Sequence, residues 1–289
     1  MVLAFLGVNP GTIEEVAKTI GINELTRNEL VKETSVATEV SGDLIVDYID
    51  VGQADSILVR NESHSMLIDA GNNEDGKDVL NFIKEKGITK LDYVIGTHPH
   101  EDHIGGLDDI INSDLEIENI LMPKISTNTK TYEDVLDAIL NKGLSVVAPK
   151  KDDTFEIGKA KCTVMTDSIL DQDNLNLSSI IIRLEYGENS FLFMGDAEEE
   201  NEKQINWPKT DVLKVGHHGS KTSSSENFIN QVQPKYSIIM VGKDNSYKLP
   251  KQETIDKFKN IGSEIYRTDE NGTIEINSNG VDINVNVAK

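Results

Sequence analysis

The sequence predicts an α/β protein arranged as a four-layer αββα sandwich, two packed β-sheets with helices outside them, behind a short helical N-terminal extension. Three observations carry that expectation. From residue 44 onward, short runs rich in Val, Ile, Leu and Tyr alternate with amphipathic helical stretches. The strand-rich stretches come as two comparable halves. The longest apolar runs are about six residues, enough for a buried strand and far short of the ~20 that cross a bilayer.

Residues 1–43 stand apart. Ile13, Val16, Ala17 and Ile20 form a 3.6-residue stripe, Thr12 and Glu15 a capping box, and Gly21 a stop; a second helix is expected around residues 24–32. The turn AKTIGINELT resembles a helix-turn-helix, but seven acidic and three basic residues in the segment favour a docking or linker helix pair over DNA binding. Residues 44–289 read as one domain. LIVDYIDV, SILVR and SMLIDA are strands of an antiparallel meander, turned at GQAD and NESH. DGKDVLNFIKEKGI is then a helix, LDYVIGT a buried strand, HIGGLDDIINS the start of another helix, and NILMP a strand. TYEDVLDAILNKG is helical and SVVAP extended. The second strand-rich stretch comprises DTFEIG, AKCTVMT, SSIIIRLEYG and SFLFMGD. After it come DVLKVGHHGS, the helix SSSENFINQV, the strand YSIIMVG, the helix KQETIDKFKNIG, and closing strands EIYRT, GTIEI and VDINVNV.

Bulk properties exclude several classes. Fifty acidic against 28 basic residues give a net charge of −22, which argues against sequence-independent binding to DNA or anionic membrane, because that affinity comes from Lys and Arg neutralising phosphates. A small or single-stranded nucleic-acid substrate held by a metal stays open. The single cysteine, Cys162, rules out an intrachain disulfide and a thiolate-rich zinc site, and its alternation with Ala160 and Val164 marks an inert strand position. MVLAFLGVNPG lacks a basic n-region and is not read as a signal peptide. Location is left between cytoplasm and cell surface.

Histidine is scarce but clustered. Five of the six fall in two groups, His98, His100 and His103 in VIGTHPHEDHIGGL, and His217 and His218 in DVLKVGHH; only His64 stands alone. Both groups follow an apolar strand. There, i, i+2 spacing in extended backbone lets His98 and His100 converge on one cation, while Asp102 and His103 on the following turn serve a neighbouring position. Gly105 and Gly106 let the chain fold tightly behind them. Asp196, ending the strand SFLFMGD, is placed to bridge two metals. Imidazoles and carboxylates without thiolates suit one or two zinc ions, with manganese the alternative where oxygen ligands dominate.

THPHEDH matches the HxHxDH signature of the metallo-β-lactamase superfamily, and DVGQADSILV, LIDAG, FLFMGDA, DVLKVGHHGS and YRTDENGTI together resemble its ComEC-type competence-protein branch, in the same order over residues 44–280. The resemblance implies a hydrolase domain over residues 44–289, with His98, His100, Asp102, His103, Asp196 and one of His217 or His218 as metal ligands. His217 is taken as that ligand and His218 as the proton donor to the leaving oxygen. Asp69 would orient a ligand imidazole, and Thr268 and Asp269 would lie near the substrate, a β-turn being their plain alternative. Two departures stand out. Residues 104–216 contain no histidine, so Asn174 or Asn176 is the candidate third partner of His98 and His100. Ala54 stands where the branch commonly has glycine.

The chemistry implied is hydrolysis, with Asp102 among the catalytic residues. A bound metal brings the pKa of its water toward ~7, giving hydroxide at neutral pH. HHGSKTSSSENF puts Gly219, Ser220 and Lys221 before a helix, where free backbone N–H groups and the lysine would form an anion site; an ordinary Ser cap is the alternative. This favours a phosphodiester substrate, with single-stranded nucleic acid or another small anionic ester as the partner. The alternatives are a small-molecule esterase of the phosphorylcholine esterase type and a non-catalytic binding module that keeps the fold.

Overall fold

The computed structural model describes residues 43–289, and the helix pair expected within residues 1–43 lies outside them apart from Asp43. A meander β1 (Leu44–Tyr48), β2 (Ile57–Asn61) and β3 (His64–Ile68) opens the chain, followed by α1 (Gly76–Glu85), β4 (Lys90–Ile95), α2 (Glu101–Ile104), α3 (Leu107–Asn112), β5 (Glu116–Leu121), α4 (Lys130–Asn141) and β6 (Val146–Val147). The second half repeats this plan. A meander β7 (Thr154–Ile157), β8 (Ala160–Val164), β9 (Ile182–Tyr186) and β10 (Asn189–Phe193) leads into α5 (Glu199–Glu202), β11 (Val212–Lys214), α6 (Glu226–Val232), β12 (Tyr236–Ile239), α7 (Gln252–Asn260) and β13 (Glu264–Arg267). A short helix α8 (Thr268–Asn271) and the strands β14 (Ile274–Ser278) and β15 (Ile283–Val287) close the chain.

In each half, antiparallel pairing gives way to parallel pairing once helices begin to intervene. β1 to β3 pair antiparallel, then β3–β4–β5–β6 run parallel; β7 to β10 pair antiparallel, then β10–β11–β12–β13 run parallel. Parallel neighbours need crossover helices, and the helical segments between them supply most of these. The closing strands do not extend the second half. β14 crosses back and pairs antiparallel with β1, completing an eight-stranded sheet beside the seven-stranded one.

Side-chain alternation explains the layers. Val46, Tyr48, Val59, Met66 and Ile68 meet Leu184, Phe191, Phe193 and Val212 between the sheets. The alternate residues Leu58, Leu67 and Val94 pack outward against Val79, Leu107 and Val135 of the first helical layer. Leu192, Leu213 and Val215 pack against Phe228 and Phe258 of the second. Each fully buried large side chain contributes about 1.5–3 kcal/mol. Among the described residues no helix is long and apolar enough to cross a membrane. Cys162 is fully buried between the sheets, and burial pushes its thiol far up, consistent with an inert position.

The equivalent strand ends of the two halves face one another. Asp69 follows β3 as Asp196 follows β10, and the His98–His103 segment follows β4 as His217–His218 follows β11. Parallel strands leave their carboxyl ends open for ligands.

Candidate metal centre

Four side chains from three strand ends form the densest group. The donor atoms of Asp102, His103, Asp196 and His218 all lie within 4.8 Å of one another. His103 Nε2 is 3.3 Å from Asp196 Oδ1, and His218 Nε2 is 3.3 Å from Asp102 Oδ2 and 3.5 Å from Asp196 Oδ2. Each ring is anchored through its far nitrogen. His103 Nδ1–H donates to Asp69 at 2.8 Å and His218 Nδ1–H to the Met240 carbonyl at 2.9 Å. These bonds fix the tautomers that leave both Nε2 lone pairs aimed inward. His103 Nε2, His218 Nε2 and Asp196 Oδ1 are buried with no hydrogen-bond partner. Buried polar atoms are almost always partnered, so this convergent, unpartnered N/O set fits a divalent cation.

A second, smaller group adjoins it. His98 Nε2 and His100 Nδ1 are 3.1 Å apart, and His98 Nδ1–H donates to Thr97 Oγ1, whose own proton goes to Asp69. The rings of His98 and His103 are 4.1 Å apart between centroids, so the two groups share a wall. Among the described residues, no histidine or carboxylate joins His98 and His100 in a metal-holding group. Asn176 is the nearest answer. Its Oδ1 is buried without a partner while its amide nitrogen lies 3.4 Å from Glu198, and it lines the same cavity as His100 and Asp196. Asn174 instead donates to Glu198 at 2.9 Å.

The electrostatics separate the groups. Burial alone would lower His103, but Asp196, Asp69 and Asp102 outweigh it and hold the ring well above the ordinary range, a field that favours positive charge at this spot. Burial and the neighbouring His103 push His98 well below it, and burial also lowers His100, so both are neutral and able to ligate. Burial would raise Asp196, but His218 and His103 keep it ionised.

Local backbone sets these positions. His217 and His218 occupy the left-handed region at φ 48° and 50°, and Asp69 at φ 59°. Such residues cost on the order of 1–3 kcal/mol each and persist where surroundings over-determine them. Gly105 and Gly106 have ordinary helical φ, so their role is proximity: a Cβ on Gly106 would stand 2.3 Å from the Ala70 carbonyl, and one on Gly105 2.3 Å from Asn73 N.

Several expectations are corrected. His218, not His217, enters the carboxylate cluster, because the paired left-handed residues turn His217 to the rim. There its Nδ1 lies 2.9 Å from Thr222 Oγ1 and 3.2 Å from Glu198, with Nε2 3.8 Å from Asp196. At the expected anion site of Gly219, Ser220 and Lys221, Ser220 N–H donates to the His217 carbonyl at 2.8 Å. Helix α6 is capped by Ser225, which accepts from Phe228 N, and Glu202 already accepts from Ser224 N and Ser225 N. Lys221 is exposed and lines neither cavity at the centre. Thr268 brackets the Val241 backbone through its hydroxyl, and Asp269 pairs with Arg267 in a helical turn.

One buried residue escaped the sequence reading. Lys214 is fully buried, bonded to Asp55 and to the Gly195 carbonyl at 3.0 Å. Burial would lower its pKa, but Asp55 and Asp196 hold the ammonium charged. The signal was its register: in DVLKVGHH, Lys214 shares the inward face of Val212.

A cavity of about 330 Å³ opens over the cluster, walled by Gln53, Asn176, His217 and Tyr247. A cleft of about 700 Å³ continues from it past Gln53, lined by Asp50, Glu74, Asp75 and Glu101. Among the described residues, only Asp50 of these four has a lysine partner, Lys289 at 2.9 Å. Tyr247 is 67% exposed at the junction. Its loop is held by Asn245, which bonds Gly242 and Leu249, and by Gly242 N–H donating to Gln53.

Two α/β halves closing around a His/Asp cluster at their strand ends define a protein of the metallohydrolase class. The chain belongs to the metallo-beta-lactamase superfamily, whose family model matches residues 49–243. It is 35% identical to ComE operon protein 3 of Bacillus subtilis over 252 residues, covering 80% of this chain and 32% of that one. To Recombination protein 2 of Haemophilus influenzae it is 30% identical, covering 80% and 28%. The chain thus spans about a third of the length of these relatives. Among solved structures, the metallo-beta-lactamase fold protein YhfI of Bacillus subtilis superposes with a TM-score of 0.53 at 13% identity, covering 81% of this chain and 99% of that one, a likeness of fold. The chain is a metal-dependent hydrolase by family, related to competence proteins.

Proposed function

We propose that this domain hydrolyses phosphodiester bonds, in short or single-stranded nucleic acid or a comparable small diester, at a centre of one or two zinc or manganese ions. The observation that carries the reading is the unpartnered set His103 Nε2, His218 Nε2 and Asp196 Oδ1, buried beneath an open cavity. His103, His218, Asp102 and Asp196 would hold one cation, with Asp69 and the Met240 carbonyl orienting the two rings. His98, His100 and Asn176 would hold a second, weaker one, because an amide oxygen is a poorer zinc ligand than imidazole. When bound, such a cation supplies an acidified water and a Lewis acid for a phosphoryl oxygen.

The chain's own residues do the rest. Asp196 belongs to the first group, lines the cavity that His100 also lines, and keeps its charge under His218 and His103. His217, at the rim between Thr222, Glu198 and Asp196, is placed to hand a proton to the leaving oxygen. Kinship to competence proteins supports a nucleic-acid link. The acidic cleft supports a substrate with few phosphates beyond the scissile one, because Glu74, Asp75 and Glu101 repel additional anions.

Metal-reconstituted protein assayed on bis-p-nitrophenyl phosphate and on a single-stranded oligonucleotide, beside D102A/H103A, tests this. Turnover of both substrates only in the unmodified protein is expected. Equal background rates in the two proteins would remove the hydrolase assignment of the site, and hydrolysis of carboxylic esters alone would remove the phosphodiester.

A further inference from the structure

We propose that Lys214 is a built-in cation that occupies one face of the histidine–carboxylate cluster and so confines divalent metal to the other, a positioning role that rests on the metal-centre reading above. Two groups of side chains are spaced to hold a metal, and they share His103: Asp102–His103–Asp196–His218 on one face and Asp55–Asp69–His103 on the other. The two faces are finished differently. On the first, ring nitrogens and a carboxylate oxygen point inward without partners. On the second, Lys214 Nζ sits on Asp55 Oδ2 and leaves only Asp55 Oδ1, 3.4 Å from His218 Nδ1, without a hydrogen bond, while Asp69 accepts from Thr97 N, Thr97 Oγ1 and His103 Nδ1–H.

Lys214 is the one lysine that is buried among the described residues. Burying an ammonium is costly unless it is paired and its protons are used. Here the ammonium bonds Asp55 and the Gly195 carbonyl, the latter at 3.0 Å, and its charge faces Asp196 Oδ1 at 3.8 Å. Asp55 in turn donates its backbone N–H to the Asp102 carbonyl at 3.0 Å and accepts from Gly71 N at 2.9 Å. One ammonium therefore ties together the segment that carries Asp196, the segment that carries Asp102 and His103, and the strand that leads into His218. It also neutralises the carboxylate that would otherwise complete a metal site on the wrong side of His103.

The experiment is equilibrium dialysis of metal-stripped protein against Mn²⁺ and, in parallel, Zn²⁺, with elemental analysis and circular dichroism to verify folding. K214M is expected to take up one more ion per chain than the unmodified protein at equal free metal, because Asp55 is left buried without its lysine, facing only the Nδ1 atoms of His218 and His103 at 3.4 and 3.7 Å. D55N/K214M is expected to return to the original stoichiometry. Should K214M fail to fold, D55N carries the test. A freed Lys214 then competes for Asp196 and weakens metal binding at least tenfold, and D55N/K214M restores it to within threefold. A folded K214M with unchanged stoichiometry, or D55N with unchanged affinity, overturns the role of Lys214. Unmodified protein that binds neither metal overturns the metal centre instead, so the two failures are distinct.

Discussion

The two halves of the centre are built from adjacent residues of one motif yet finished to different standards. Around His103 and His218, four donors converge, each ring has a carboxylate or carbonyl behind it, and the negative field holds positive charge. Around His98 and His100 there are two rings, the hydroxyls of Thr97 and Ser179 behind His98, and Asn176, whose unpartnered Oδ1 belongs to the same cavity wall as His100. Ligand identity and the support behind each ligand set metal affinity together. The comparison teaches that the HxHxDH spacing does not by itself make two equal sites; what the opposite half of the fold contributes decides.

Removing Asp196, the deepest carboxylate of the cluster, should break the comparison altogether. D196A is expected to lose metal from both and to lower phosphodiesterase turnover by at least ~10³-fold, read by kcat and elemental analysis. Next comes the histidine pair. H218A should strip the stronger group, whereas H217A should keep its metal and lose about 10²-fold in turnover, the lower end of what proton donation contributes. Equal metal loss in both variants would contradict the corrected positions of these histidines.

Asn176 offers a way to sharpen the contrast. N176H should raise the metal content of the His98–His100 group toward full occupancy with little effect on the other, and N176A should empty it, both read by metal analysis at a fixed free concentration. Stripping metal from the unmodified protein should lower the melting temperature by roughly 5–10 °C if free metal stood at about 100 times Kd, since that linkage is worth about 2.7 kcal/mol. The smallest effect is reserved for the rim. Y247A should raise KM for an oligonucleotide by about fivefold or more with kcat unchanged, the loss of one stacked base.

Much of this was legible in the sequence, and the reasons are physical. Period-two alternation in LIVDYIDV and SFLFMGD encodes the inter-sheet core, and helical periodicity in TYEDVLDAILNKG encodes its cover, because both are properties of neighbouring residues. The clustering of His98, His100 and His103 after an apolar strand was equally local. What depended on distant partners was not legible. Which of His217 and His218 points inward turns on two left-handed residues held by surrounding structure. The entry to α6 likewise turns on a distant residue, since Glu202, some twenty residues earlier, accepts from Ser224 N and Ser225 N. Lys214 passed as an ordinary strand residue, although its inward register in an otherwise apolar strand was visible. The return of β14 to β1 required knowing which sheet edge was open.

The carboxylate-lined cleft beside the centre has a consequence for ionic strength. Enzymes that grip phosphates with lysine and arginine weaken as salt rises, because counterions compete for the contact. Here Glu74, Asp75 and Glu101 repel an approaching phosphate, and salt shortens the reach of that repulsion, from ~10 Å at 0.1 M to ~3 Å at 1 M. For an anionic substrate KM should therefore fall, not rise, as inert salt is added. The approach of substrate would be governed by how well the medium hides the protein's own charge.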